Sequence, residues 1–157
     1  MTATSFKRIK QLALGLSLIG LAFQVSAQTQ VHDAWVRATV VDQPSTGAFM
    51  TLQADSDSNL LSVQSPVAKT VQIHQMSMKD DVMKMGMVES VALPAGKAVS
   101  FDPHGYHVML IDLTTQVKEG DKVPLTLIVK NAKGEQEIIE VQAEARALGK
   151  MDHSKMH

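Results

Sequence analysis

From about residue 30 onward, apolar residues recur at every second position in short runs, without the 3.6-residue recurrence of an amphipathic helix. These runs predict strands at 31–41, 47–54, 60–65, 70–76, 82–88, 98–102, 106–113, 123–130 and 135–143. Turn chemistry closes each of them, as in Asp42-Gln43-Pro44-Ser45, Lys79-Asp80-Asp81, Pro103-His104-Gly105 and Lys118-Glu119-Gly120-Asp121. Many short strands at this spacing predict an all-β domain, an antiparallel β-sandwich or Greek-key barrel.

The two ends of the chain break the pattern. Lys7, Arg8 and Lys10 form a basic head, residues 12–23 are apolar, and Val25-Ser26-Ala27 offers small residues for a leader peptidase. Basic head, short apolar middle and small-residue end read as a secretory signal peptide at 1–27, cleaved after Ala27. The apolar run falls short of the roughly 20 residues of a membrane span, so no stable membrane insertion is expected once the leader is gone. From about Leu148 the strand pattern is lost as well, which divides the chain into a leader, a domain at 28–147 and a tail at 148–157.

Removing the leader changes the charge. The whole chain carries -1, the leader holds three basic residues and no acidic one, so the remainder carries -1 - 3 = -4. A mildly acidic domain has no electrostatic reason to seek nucleic acid or anionic lipid. The chain has no cysteine, which removes thiolate nucleophiles, Cys-ligated zinc, iron–sulfur clusters and blue-copper centres. It has ten methionines instead, and Met76, Met78, Met83, Met85 and Met87 fall within a dozen positions.

Strand alternation sorts these side chains onto faces. Gln72, His74 and Met76 point away from Val71 and Ile73; Met83, Met85 and Met87 share a face; so do His107, Met109 and Ile111, opposite Val108 and Leu110. His107 and Met109 stand about 6.6 Å apart along one strand, close enough to converge on one ion. A two-residue hairpin turn at Lys79-Asp80 would set His74 opposite Met85, Met76 opposite Met83 and Met78 opposite Asp81. Opposed side chains have β-carbons about 5 Å apart. Lys-Asp is not a preferred turn pair, so the ligand chemistry favours this register more than the turn does. Thioether sulfur is soft, neutral and suited to Cu(I), and unlike thiolate it cannot be lost to a disulfide outside the cytoplasm. Imidazole adds a stronger donor that must be deprotonated to bind. Two His and two Met favour carriage of Cu(I) over electron transfer.

The spacing His74, ten residues, Met85, twenty-one residues, His107, one residue, Met109 resembles the signature of the periplasmic copper chaperones called PCu(A)C. So do Asp33-Ala34-Trp35-Val36-Arg37-Ala38, Phe49-Met50-Thr51-Leu52, Gly105-Tyr106-His107-Val108-Met109-Leu110 and Glu119-Gly120-Asp121-Lys122-Val123-Pro124. The resemblance covers roughly residues 33–141. It implies a cupredoxin-like β-sandwich in the periplasm, with one Cu(I) held by His74, Met85, His107 and Met109. It also implies delivery toward the cytochrome c oxidase copper-centre subunit, directly or through a thioredoxin-fold copper-handling protein. Gln75 and Gln53-Ala54 depart from the family pattern without touching a ligand position.

The remaining candidates have plainer readings. Met83 and Met87 are expected as core filler, the usual role of methionine on a strand, whereas Met76 and Met78 would form a soft rim beside the site. Trp35 is expected in the core or at its rim, Arg37 as a solvated strand residue, His104 as exposed in a turn, and His32 without a specific role. The tail Met151-Asp152-His153-Ser154-Lys155-Met156-His157 is a candidate flexible second site, His153, His157, Met151 and Met156, which with Asp152 and the free terminus would suit Cu(II). No Ser-His-Asp or paired-carboxylate pattern argues for an enzyme. The alternatives to a chaperone are a copper-buffering or resistance protein without a dedicated recipient, and a β-sandwich interaction module that binds no metal.

Overall fold

Ten strands follow the alternation: β1 (Thr29–Arg37), β2 (Ser45–Ala54), β3 (Ser58–Gln64), β4 (Ala68–Lys79), β5 (Val82–Val88), β6 (Val91–Leu93), β7 (Ala98–Phe101), β8 (Tyr106–Leu113), β9 (Lys122–Asn131) and β10 (Gln136–Arg146). They come from a computed structural model, which describes residues 28–147. The expected leader at 1–27 and the His/Met tail at 148–157 lie outside the described residues. Among the described residues no helix is long and apolar enough to cross a membrane.

The strands hydrogen-bond in the order β5-β4-β8-β7-β2-β1-β10-β9-β3-β6, with an added pairing of β8 to β2. This sheet folds back on itself. β3 lies against β4 and β6 against β2, although they stand far apart in the hydrogen-bonding order. One core results, joining Val36, Leu52 and Leu110 from one side to Leu60, Leu93, Leu125 and Leu127 from the other, all essentially inaccessible to water. The fold is therefore an all-β, cupredoxin-like sandwich. The most regular alternation lies in β9, where Val123, Leu125, Leu127 and Val129 are buried and the residues between them are not. β2 has Thr46 through Met50 all buried, as befits a strand covered on both faces.

Three features depart from the sequence reading. β1 stops at Arg37 rather than near Val41, because the chain turns through Asp42 at φ 61° and leaves Val40 and Val41 exposed. β6 is only three residues long, too short for alternation to register. Two pairings are parallel: β1 with β10, and β7 with β8 at Phe101 and Tyr106. The β1–β10 pair joins the first and last strands of the domain, a relation no local pattern encodes.

Every non-glycine residue at positive φ among the described residues is an aspartate: Asp33, Asp42, Asp80, Asp81 and Asp112. Aspartate enters the left-handed region more readily than most residues, because its short side chain can hydrogen-bond locally. Asp80 and Asp81, at φ 54° and 59°, form the two-residue turn between β4 and β5, as a type I′ hairpin requires.

Candidate metal centre

β8 carries the centre of the site. Val108 and Leu110 face the core, so His107 and Met109 face the other way. On that outer face His74 of β4 pairs directly with His107, and Gln72 with Met109. On the other side of β8, Gly47 of β2 pairs with Met109. A Cβ at Gly47 would come within 2.8 Å of the Phe49 ring, so the missing side chain is what makes room for that ring. Trp35 packs against Phe49 with centroids 4.5 Å apart and the rings tilted by 35°, which makes it a rim aromatic.

The β4–β5 register corrects the expected one. The turn is Asp80-Asp81 rather than Lys79-Asp80, so Met85 faces Met76, His74 faces Met87 and Met78 faces Met83. The physical reason is turn chemistry: two consecutive left-handed residues are needed, and Asp-Asp supplies them better than Lys-Asp. Moving the turn by one residue shifts the pairing by two. Met85 therefore stays on the face of His74 and His107.

The hydrogen bonds fix the imidazoles. His107 Nδ1 lies 3.3 Å from the Gly105 carbonyl oxygen, and His74 Nε2 lies 2.8 Å from Gln72 Oε1. Both oxygens accept, so these nitrogens carry the protons. The lone pairs are then on His107 Nε2 and His74 Nδ1. His107 Nε2 points at Met85 Sδ, 3.1 Å away. His74 Nδ1 is buried with no hydrogen-bond partner among the described residues. The two rings are 5.8 Å apart, edge to face. Burial, and then the neighbouring His107, push the His74 pKa below its ordinary value, so the ring is held neutral.

Met76, Met85, His107 and Met109 line a cleft of about 320 Å³, together with Phe49 and Arg37. His107 is only 6% exposed, whereas Met85 is 53% exposed, so the site has a buried imidazole floor and an open thioether lip. Among the described residues no three His, Cys, Asp or Glu side chains gather into a metal-holding group. An ion here would be held by imidazole and thioether, without carboxylate or thiolate. Two unprotonated nitrogens without donors, one of them aimed at a sulfur, fit a soft cation.

Other candidates are placed differently from the sequence reading. Met83 and Met87, expected as core filler, are 46% and 63% exposed, because among the described residues β5 pairs only with β4 and buries neither face. Arg37 is not simply solvated: its guanidinium lies over the Phe49 ring at 5.7 Å, and its Nε is buried without a partner among the described residues. His104 is exposed in its turn, as expected; Asp102 Oδ1 accepts from the His104 and Gly105 N–H groups there and sets the start of β8. Gln72 and the Gly105 carbonyl orient the two rings, a role the sequence reading did not give them, although it put Gln72 on the face of His74 and Gly105 in a turn. Their signal was proximity, since each lies two residues from its histidine. The tail residues Met151, His153, Met156 and His157 lie outside the described residues.

A family model described as putative lipoprotein LpqE-like matches residues 29–143. A putative lipoprotein of Leifsonia xyli subsp. xyli (strain CTCB07) is 28% identical over 130 residues, covering 76% of this chain and 77% of that protein. The copper-bound PCuAC domain from PmoF2 superposes with a TM-score of 0.57 at 23% identity, over 75% of this chain and 93% of that one. The Cu(I) form of DR1885 from Deinococcus radiodurans superposes with a TM-score of 0.53 at 26% identity, over 74% and 77%. The fold is thus of the PCuAC type.

Proposed function

This chain belongs to the LpqE-like family of putative lipoproteins, and from that premise we propose that it is an exported, periplasmic copper chaperone that carries one Cu(I) on His74, Met85, His107 and Met109. The observation that carries this reading is the approach of His107 Nε2 to Met85 Sδ at 3.1 Å, two lone-pair donors facing each other. The copper-bound state of the PmoF2 domain and the Cu(I) state of DR1885 support copper as the cargo. The family description supports export.

The donor set suits carriage. Both thioethers are neutral, so Cu(I) keeps its single charge in the site and can leave without proton transfer to sulfur. Met85 lies at the exposed lip, where an incoming ligand can displace it first. A recipient with thiolates would draw Cu(I) away, because a charged, softer donor outcompetes thioether and imidazole. The copper-centre subunit of cytochrome c oxidase and a thioredoxin-fold copper-handling protein are recipients of that chemistry. The tail, with His153, His157, Met151, Met156 and Asp152, is proposed as a separate Cu(II) site, since imidazole and carboxylate prefer the harder ion.

The test is X-ray absorption on the protein loaded with Cu(I) under reducing conditions. Both sulfur and nitrogen scatterers are expected at one equivalent of copper. A spectrum without sulfur would sink the site.

A further inference from the structure

Among the described residues, β4 beyond Gln75, which pairs with Tyr106, has only β5 as a strand neighbour. The last link to the rest of the sheet is the Met76 N–H, which donates to the Gly105 carbonyl at 3.0 Å. Residues 77–84 therefore form a two-stranded arm that stands clear of the sandwich. Its register places Met76 opposite Met85 and Met78 opposite Met83, and His74 opposite Met87, all on one face. Met78, Met83 and Met87 are 66%, 46% and 63% exposed.

Exposed edge strands are commonly blunted with charged side chains. This one has methionine at every position of one face from 76 to 87, and no leucine, isoleucine or valine among them. Branched residues would serve better if packing were the purpose, because they have higher strand propensity. Thioethers are what the face has been given, on flexible side chains that let sulfurs converge. An opposed pair has β-carbons about 5 Å apart, so both sulfurs of such a pair can reach one ion.

We propose that the tip of this arm is a second soft-cation site, in which Met78 and Met83, completed by Met76, hold a Cu(I) ion distinct from the one at the imidazoles. It rests on the function proposed above only in taking Cu(I) as the cargo. With neutral sulfur and no imidazole, the tip binds more weakly than the inner site, by roughly tenfold or more. It stands one cross-strand pair from Met85, so an ion arriving at the tip lies beside the lip of the inner cleft.

The experiment is an anaerobic Cu(I) titration of the full chain with 13C-methyl-labelled methionine, followed by NMR. The first equivalent is expected to move the Met85 and Met109 methyl signals, and further copper those of Met78 and Met83. Met151 and Met156 report separately on the tail. The double variant Met78→Leu/Met83→Leu should lose the weaker binding phase at the tip while keeping the first phase and its melting temperature, because the arm carries no core contact. Unmoved Met78 and Met83 signals at excess Cu(I) would overturn the proposal and leave the arm as an apolar docking face. So would a double variant that retains the weaker phase. Failure of the inner site has a different signature: Met85 and Met109 stay unmoved while Met78 and Met83 respond.

Discussion

His107 has its two ring nitrogens committed to different tasks, one donating to the Gly105 carbonyl and the other left bare toward Met85. Removing a direct donor should cost more than the roughly 10–100-fold in affinity lost with an outer-shell partner. Met85→Leu is therefore expected to weaken the tight Cu(I) site about 100-fold or more. Its thermal stability should change little, because Met85 is more than half exposed and the swap conserves volume. Met83→Leu should leave the tight site intact. Competition against a Cu(I) chelator separates them, and a tight site lost with Met83 but kept without Met85 would mean that the wrong thioether has been assigned. His74 gives a second prediction. Its pKa is lower in the folded state than in the unfolded chain, by burial first and His107 second. The unfolded state then binds more protons, so this contribution to stability is present above the ordinary histidine value of about 6.5 and is lost as pH falls through the folded-state value. In urea unfolding of the copper-free protein, His74→Gln should flatten the stability profile just below that pH. An unchanged slope would show that His74 is not held neutral by the fold.

The β4–β5 hairpin shows which information lay in the sequence. Alternation assigned faces within each strand, and a two-residue turn, at either of its possible positions, put Met85 on the face of His74 and Met76. The partner depended on the turn, and the turn on whether two residues would accept positive φ. Lys79-Asp80-Asp81 allowed two choices, and only the preference of aspartate for that region separates them. Burial was the weaker inference: methionine on a strand reads as core, but Met83 and Met87 sit on an edge strand that nothing among the described residues covers. Arg37 was misread for a related reason, since its contact with Phe49 comes from β2 and depends on the side-chain gap at Gly47. Asp81, at φ 59°, still carries some of the strain that glycine avoids. Asp81→Gly should therefore stabilise the protein by about 1 kcal/mol. It should leave Cu(I) affinity unchanged, because the register is kept. Loss of copper on this change, read by chelator competition, would indicate that the turn does more than join two strands.

At the scale of the whole molecule, the sandwich core draws on every strand except β5 and includes none of the four donor residues. The domain should fold without metal, and copper should raise its melting temperature by mass action alone, by about 2.7 kcal/mol of stability at a hundredfold excess over Kd. A copper-free protein that lacks the β-sheet signal in circular dichroism would overturn this. The parallel pairing of β1 with β10 has a further consequence. Both strands run the same way, with Trp35 beside Glu144 and Arg37 beside Arg146, so the chain enters the domain at one end and leaves it at the other. Thr29, the entry, is fastened near Glu137, and the Arg146 carbonyl, at the exit, accepts from Ala38. Met109 and His107 lie level with the last residues of β1, at the exit end, since Gly47 and Ala48 bridge the two strands. From Thr29 to Trp35 the strand spans roughly 20 Å. The domain is thus a polar object with a rear and a front: Thr29 marks the rear, and His107 and Met109 lie at the front, beside the exit at Arg146.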